Sequence, residues 1–285
     1  MNVKIFLCAL LLLGSGLMCT YSLFGANRSA KKVTTNVRSP AKAAPLPLNE
    51  QLYNAASSGN LSEVQSLLAQ KTDPNSITQG QTPLMAAIHA NSAEVISELL
   101  AHDADPTMSN SLGETPLFIA AGSLAGKVEM VQILLDAKTS KKININAQTK
   151  AGETPLLTSA TQIQPAITQA LLNAGADPFI CNHEGHAPLY FAAWLGHLDT
   201  VKLILNAQDS IIQKAREENP TRAKQLSEKA TKFVSDALNV AQTWSDSKNL
   251  EYLKTPCNKP AYDAALRRIA DVQAVFAFLQ HYMDQ

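Results

Sequence analysis

The sequence predicts an all-α protein built as a solenoid of stacked helix-turn-helix units, and three observations carry this prediction. A five-residue pattern that starts with glycine and ends with Pro-Leu occurs four times, with its glycines 33, 39 and 33 residues apart. A pair of small residues follows each copy, and a pair of large aliphatic residues follows later. Because one such unit cannot bury its own apolar face, neighbouring units must stack.

The four copies read GQTPL, GETPL, GETPL and GHAPL, beginning at Gly80, Gly113, Gly152 and Gly185. This pattern, with its period near 33, resembles the ankyrin repeat, and the resemblance covers residues 49–207. Threonine caps the first helix, and proline takes the first helical position, where an N–H has no partner. The small pairs let two helices approach closely. They are Ala86-Ala87, Ala120-Ala121, Ser159-Ala160 and Ala192-Ala193.

Two parts of the predicted stack depart from the regular pattern. Residues 52–68 lack the Thr-Pro start but keep the later small and aliphatic positions, which suits an N-terminal capping unit with one face toward water. The third unit carries extra residues before Leu134 and again around Lys138–Lys142. We expect these insertions in the connecting turns, where they lengthen one face of the stack.

The C-terminal third is predicted to be helical but not regular. Beyond Pro220, apolar residues recur at three- and four-residue steps up to Trp244, which predicts an amphipathic helix of about seven turns. We interpret residues 208–250 as a helical insertion, either packed on the stack or presented to a partner. Residues 251–285 are interpreted as a diverged terminal repeat or a helical cap, because Lys259–Ala265 resembles a repeat start.

The N-terminal residues 1–26 predict a signal peptide or a membrane anchor. No charged residue lies between Lys4 and Arg28, and residues 5–13 are all apolar. Small residues at 20 and 22 fit a cleavage site. If the segment is instead retained as an anchor, the positive charges that follow it do not favour export of the rest of the chain. The protein is therefore expected to be periplasmic or secreted if the segment is cleaved, and anchored in the cytoplasmic membrane otherwise.

Residues 27–48 predict a basic, flexible linker. The segment contains five Lys or Arg residues and three prolines, has no acidic residue through position 48, and shows no apolar periodicity. A solvated linker and a contact with anionic lipid both fit this composition.

Composition and motifs argue against several chemical functions. The chain has 24 Lys+Arg against 24 Asp+Glu and only 17% charged residues, which is not typical of a nucleic-acid-binding protein. The six histidines form no recognisable catalytic or zinc-binding motif. Cys181, His183 and His186 could supply three metal ligands, but they lack a fourth ligand and lie on one turn. We expect no catalytic residue, no metal and no cofactor.

The cysteines leave one question open. Cys181 and Cys257 are the two that lie outside the N-terminal apolar segment. An exported protein could join them in a disulfide, provided that the fold brings them within bridging distance. Two free thiols are the alternative.

The resemblance to ankyrin repeats implies a protein-recognition surface on the turn tips and the first helices, where side chains vary without disturbing the stacking seam. Trp194 is the most informative of these positions, because tryptophan offers much apolar area with little rotamer entropy. Packing against the C-terminal helices is its alternative role. The candidate partner-binding residues are Gln79, Gln81, His89, Leu112, Glu114, Lys150, Glu153, His183, Glu184, His186, Trp194 and Leu195.

The sequence thus predicts a monomeric, non-enzymatic interaction module that serves as a scaffold, adaptor or inhibitor of another protein. It touches a membrane only through residues 5–26, if these are retained. Two alternatives are a secreted bacterial effector acting on a host protein, and an enzyme whose activity resides in the C-terminal helical region.

Overall fold

The structure of the protein is a computed structural model that describes residues 46–123, 128–137, 139, 141–162, 164–245 and 259–283. The predicted signal peptide or anchor and the linker up to residue 45 lie outside these ranges. The described part of the chain contains helices and no β-strand, with one isolated bridge between Thr78 and Gln81. The predicted all-α class is confirmed. None of the helices in the described ranges is long and apolar enough to span a membrane.

Five units of two helices each form the stack. Unit 1 contains α1 (Leu48–Ser57) and α2 (Leu61–Ala69), unit 2 contains α3 (Pro83–His89) and α4 (Ala93–Ala101), unit 3 contains α5 (Pro116–Gly122) and α6 (Val128–Asp136), unit 4 contains α7 (Pro155–Ala160) and α8 (Pro165–Asn173), and unit 5 contains α9 (Pro188–Leu195) and α10 (Leu198–Glu218). Each first helix contacts the next first helix, and each second helix contacts the next second helix. Two further helices follow, α11 (Pro220–Ser245) and α12 (Lys259–Met283).

The Thr-Pro pairs start the first helices as the sequence predicts. The side chains of Thr82, Thr115 and Thr154 accept hydrogen bonds from backbone N–H groups three residues later, at 3.2–3.3 Å. Each of these bonds satisfies one of the N–H groups that a helix start leaves without a partner. Unit 5 has Ala187 at this position, and its helix begins without a side-chain cap.

Glycine is required at the tips of units 3 and 4 for two reasons. Gly113 and Gly152 both have φ of +81°, a conformation that side-chain-bearing residues adopt at a cost. A Cβ atom at Gly152 would also lie 2.7 Å from the backbone nitrogen of His183, on the tip of the next unit. Neighbouring tips can therefore pack this closely only when the position that faces the next tip is a glycine.

The insertion in unit 3 returns toward unit 2. Lys141, which is exposed, forms an ion pair with the carboxylate of Asp105, which is buried. Burial alone would raise the pKa of Asp105, but hydrogen bonds from Lys141 and Thr107 outweigh it and lower that pKa. The inserted residues 124–127, 138 and 140 lie outside the described residues.

The apolar core divides into two clusters. One runs through units 1 to 4 and is built from aliphatic and small residues such as Leu84, Leu117 and Leu156. The other joins unit 5 to α11 and to the C-terminal part of α12, and it contains Phe179 and Phe233, whose ring centroids lie 6.3 Å apart. The stack thus ends in a separately built C-terminal core.

The C-terminal helices agree with the prediction except at one boundary. Helix α11 begins at Pro220 and packs on α9 and α10, so its apolar stripe is used for packing. Helix α10, however, continues without a break to Glu218, so the predicted boundary at 207–208 falls inside it. Residues 259–283 form one continuous helix, which fits the helical-cap alternative and not a terminal repeat of two helices.

Candidate functional site

Hydrogen bonds between backbones hold the turn tips of units 3, 4 and 5 in register. The N–H of Lys150 donates to the carbonyl of Leu112 at 2.9 Å, and the N–H of His183 donates to the carbonyl of Ala151 at 3.0 Å. The Gln148 side chain adds a hydrogen bond to the carbonyl of Cys181 at 3.2 Å. Equivalent positions of successive tips therefore lie side by side.

The residue that follows the tip glycine forms a row along this edge of the stack. Gln81, Glu114, Glu153 and His186 occupy the row, and all four are half-buried. Adjacent helical units pack at about 10 Å, so these side chains are neighbours across the units. Four of the sequence-predicted residues are thus brought together.

Negative charge accumulates in the middle of the row. Glu114 accepts a hydrogen bond from the Nδ2 group of Asn110 at 2.6 Å. Burial raises the pKa of Glu153, and the carboxylates of Glu114 and Glu184 raise it further. A cation placed beside Glu153 would therefore relieve both desolvation and like-charge repulsion.

His89 lies at the other end of the row. Its Nε2 atom is 3.4 Å from Nε2 of Gln81, so the two predicted residues are neighbours. Desolvation lowers the pKa of His89, although the carboxylate of Glu114 opposes that shift. This end of the row is polar and has no aromatic contact among the described side chains.

An aromatic group lies at the unit 5 end of the row. It consists of His186, Tyr190, Phe191 and Trp194. The rings of His186 and Tyr190 stack with centroids 4.1 Å apart, Phe191 meets both edge-on, and Trp194 follows at 6.3 Å from Phe191. All four side chains are half-buried. Among the described residues, Tyr190, Phe191 and Trp194 do not belong to the core that unit 5 shares with α11 and α12.

Sequence reasoning selected His186 and Trp194 but missed Tyr190 and Phe191. The signal that could have found them is helical spacing, since residues three or four apart lie on one helix face, and Tyr190 and Phe191 precede Trp194 by four and three on α9. The other predicted residues lie around this row. Gln79, Leu112, Lys150, His183 and Glu184 are exposed on the tips, and Leu195 is half-buried at the end of α9.

Exposed aliphatic side chains also lie on the tips. Leu112 is 59% exposed, and Ile77, which the sequence reasoning did not select, is 63% exposed. Single exposed aliphatic residues are normal on a protein surface, so these two mark accessible positions on the tips.

The thiol and imidazole groups near the unit 5 tip do not converge. No group of three His, Cys, Asp or Glu side chains that could hold a metal ion occurs among the described residues. Burial raises the pKa of the Cys181 thiol, and Lys229 and Lys232 on α11 oppose that shift. Cys257 lies outside the described residues, so its pairing with Cys181 stays a prediction.

The family comparison follows from this repeated architecture. A family model described as ankyrin repeats (3 copies) matches residues 52–148 and 139–215, which is more than half of the chain. The chain belongs to the ankyrin-repeat family. Ankyrin repeats generally act as protein–protein interaction modules, and the concave side of their stacks is the usual binding surface.

Similarity to the following individual proteins covers 44% to 62% of the chain. The chain is 31% identical over 126 residues, 44% of its length, to the human transient receptor potential cation channel subfamily A member 1, of which this covers 11%. It is 32% identical over 150 residues to the ankyrin repeat protein nuc-2 of Neurospora crassa, covering 53% of this chain and 13% of that one. Human neurogenic locus notch homolog protein 1 is 28% identical over 178 residues, covering 62% and 6%. The chain thus spans a small fraction of each of these relatives.

Proposed function

We propose that this protein binds another protein through the surface formed by its turn tips and first helices, as a non-enzymatic scaffold, adaptor or inhibitor. The observation that supports this most is the aromatic group of unit 5. Three large rings that do not take part in the neighbouring core remain partly open beside a polar row. Aromatic side chains in such a setting are enriched among the residues that dominate binding energy.

The layout of the stack supports the same proposal. Tip and first-helix side chains differ between units, whereas the capping threonines and small pairs recur. Because the residues that pack between units stay the same while the surface residues vary, each unit can contribute a different contact without disturbing the stack. Surface complementarity, and not bond chemistry, is the mechanism we propose.

A photo-crosslinking residue at either of two exposed aliphatic positions would test this function in the native cell. Leu112 lies on the unit 3 tip, and Val128, 40% exposed, begins the second helix of the same unit. We expect a specific crosslinked protein from position 112 and none from position 128. Crosslinks of equal yield from both positions, or from 128 alone, would contradict the proposal.

We further propose that residues 1–26 direct the protein to or across the cytoplasmic membrane, because a short charged start precedes an unbroken apolar run. Sequencing the mature N-terminus of tagged protein from fractionated cells tests this. A cleaved product outside the membrane would indicate export, and an intact membrane-bound chain would indicate an anchor. An intact chain in the soluble cytoplasm would refute both versions.

A further inference from the structure

The aromatic group and its surroundings define the chemistry of a partner. Tyr190 is held on one side by the stacked ring of His186, with centroids 4.1 Å apart and an interplanar angle of 14°. Phe191 meets the edges of both rings, with centroids 5.4 Å from Tyr190 and 5.9 Å from His186, and Trp194 continues the surface along α9. This packing fixes the rings in place, so little side-chain entropy remains to be lost when a partner binds.

The charged groups that act on Tyr190 are carboxylates. The Oε2 atom of Glu184 lies 3.3 Å from Nδ1 of His186, and Glu184 is 75% exposed. Burial raises the pKa of Tyr190, and the carboxylates of Glu184 and Asp236 raise it further. Glu153 stands on the adjacent tip. Lys150 is exposed on that tip, and Lys229 and Lys232 on α11 act on the Cys181 thiol of unit 5.

We propose that the surface around α9 takes a partner polypeptide that presents an arginine or lysine to Glu153 and Glu184 and lays an apolar side chain on the aromatic group. This rests on the proposed function and adds the chemistry of the partner to it. A basic side chain would be attracted both by the carboxylates and by the faces of the aromatic rings. Anionic lipid and nucleic acid would instead be repelled.

The geometry also sets a spacing within the partner. Glu153 and His186 hold equivalent positions in adjacent units, which pack at about 10 Å. An extended chain rises about 3.3 Å per residue. The basic residue and the apolar residue are therefore expected about three positions apart in the bound segment.

Selection from a phage-displayed library of random 12-residue peptides against the full chain tests the proposal. The enriched peptides are then synthesised, and their affinity is measured by fluorescence polarisation. We expect enrichment of arginine or lysine about three positions from an aromatic or aliphatic residue. Binding should weaken as salt rises, because exposed charge pairs are screened.

Matched variants locate the binding site. Glu153→Gln and Glu184→Gln are each expected to weaken binding about tenfold at low salt. Trp194→Ala is expected to weaken it about thirtyfold. The control is Glu94→Gln, which removes the same charge from an exposed position on α4, and it should leave binding unchanged. Thermal melting checks each fold, and Glu184→Gln keeps the test decisive if Trp194→Ala unfolds.

Three results would overturn the inference: no enriched peptide, enriched peptides without a basic residue, or binding that Glu153→Gln and Glu184→Gln leave intact. Each of these results can be distinguished from a failure of the proposed function. A protein that crosslinks at position 112 but not at 128, and whose binding ignores both glutamates, would keep the function and remove the basic partner.

Discussion

The two cores of the molecule are built differently. Units 1 to 4 share one aliphatic core of short helices and small-residue pairs, and the first helices of units 2 to 4 each start at a threonine cap. Unit 5 lacks the threonine cap, has a 21-residue second helix and packs with α11 and α12 around two phenylalanines. The regular region provides stacking, and the irregular end both closes the stack and carries the aromatic group.

This comparison predicts that the two cores respond separately to damage. Phe233 is 5% exposed within the second core, so Phe233→Ala should lower the free energy of unfolding by about 3–5 kcal/mol. Because each unit contacts only its neighbours, hydrogen exchange should quicken in α9, α10 and α11 and stay slow in units 1 to 3. The control is Lys232→Ala, an exposed neighbour on α11, which should change little. Uniform loss of protection would show one undivided core.

Substitution of the tip glycines should affect an interior unit more than the terminal unit of the stack. Gly152→Ala is expected to lower the free energy of unfolding by about 3 kcal/mol, because a positive φ and a clash with the His183 backbone add together. Gly185 has φ of +84°, and a Cβ atom added there would meet no described atom within 4 Å. Gly185→Ala should therefore cost only about 1–2 kcal/mol. Equal losses of unfolding free energy, measured by urea unfolding, would show that the positive φ alone sets the cost and that the clash does not contribute.

Within the part of the chain that the structure describes, a buried amide on α10 lacks hydrogen-bond partners. Gln208 on α10 is fully buried, and its side-chain oxygen and nitrogen find no hydrogen-bond partner among the described residues. Gln208→Leu should raise the free energy of unfolding by about 1–2 kcal/mol, because an unsatisfied buried amide is costly. Gln213→Leu, exposed on the same helix, is the control and should have little effect. A loss of stability in Gln208→Leu would indicate that the amide has a partner.

The threonine cap that unit 5 lacks can be introduced by substitution at Ala187. Ala187 is as buried as Thr82 and Thr154 and has a nearly identical backbone conformation. Ala187→Thr should therefore raise the free energy of unfolding by about 1 kcal/mol, and Thr154→Ala should lower it by a similar amount. Thermal melting of both variants checks the pair. Loss of stability in both would mean that the unit 5 turn has no room for the hydroxyl.

The smallest expected effect concerns pH. The pKa of Asp105 is lower in the folded chain than its ordinary value, so the pair with Lys141 stabilises above about pH 4 and loses its effect as pH falls through the folded pKa. Since Lys141 is exposed, Lys141→Ala should cost only about 0.5 kcal/mol at pH 7. The difference from the wild type should shrink as pH falls below about 4. A pH-independent difference would contradict the ion pair.

The sequence predicted the repeats well because their signals are local. A threonine cap, a first-position proline and a tip glycine each act on the residues beside them. The extension of α10 was missed because residues 206–219 look polar, although Gln208, Ile212 and Ala215 line one buried face. Of the two alternatives for residues 251–285, the helical cap fits the single helix at 259–283, and no glycine or proline within 261–283 interrupts that helix.

The candidate site was predicted in part for a related reason. Positions defined by the family pattern, such as Glu153 and His186, could be found by counting from each glycine. Helical spacing from Trp194 could place Tyr190 and Phe191 on the same face of α9, but their partial exposure could not be predicted, because it depends on how α11 packs on α9. That contact joins residues far apart in sequence, and no local pattern encodes it.

The most direct test of the account is a hydrogen-exchange footprint of the full chain with and without the protein captured from position 112. Protection on binding should appear in the tips around residues 149–153 and 182–186 and in α9. The second helices α2, α4, α6 and α8 should exchange as in the unbound protein. Protection confined to those second helices or to α12 would contradict a binding surface on the tips and first helices.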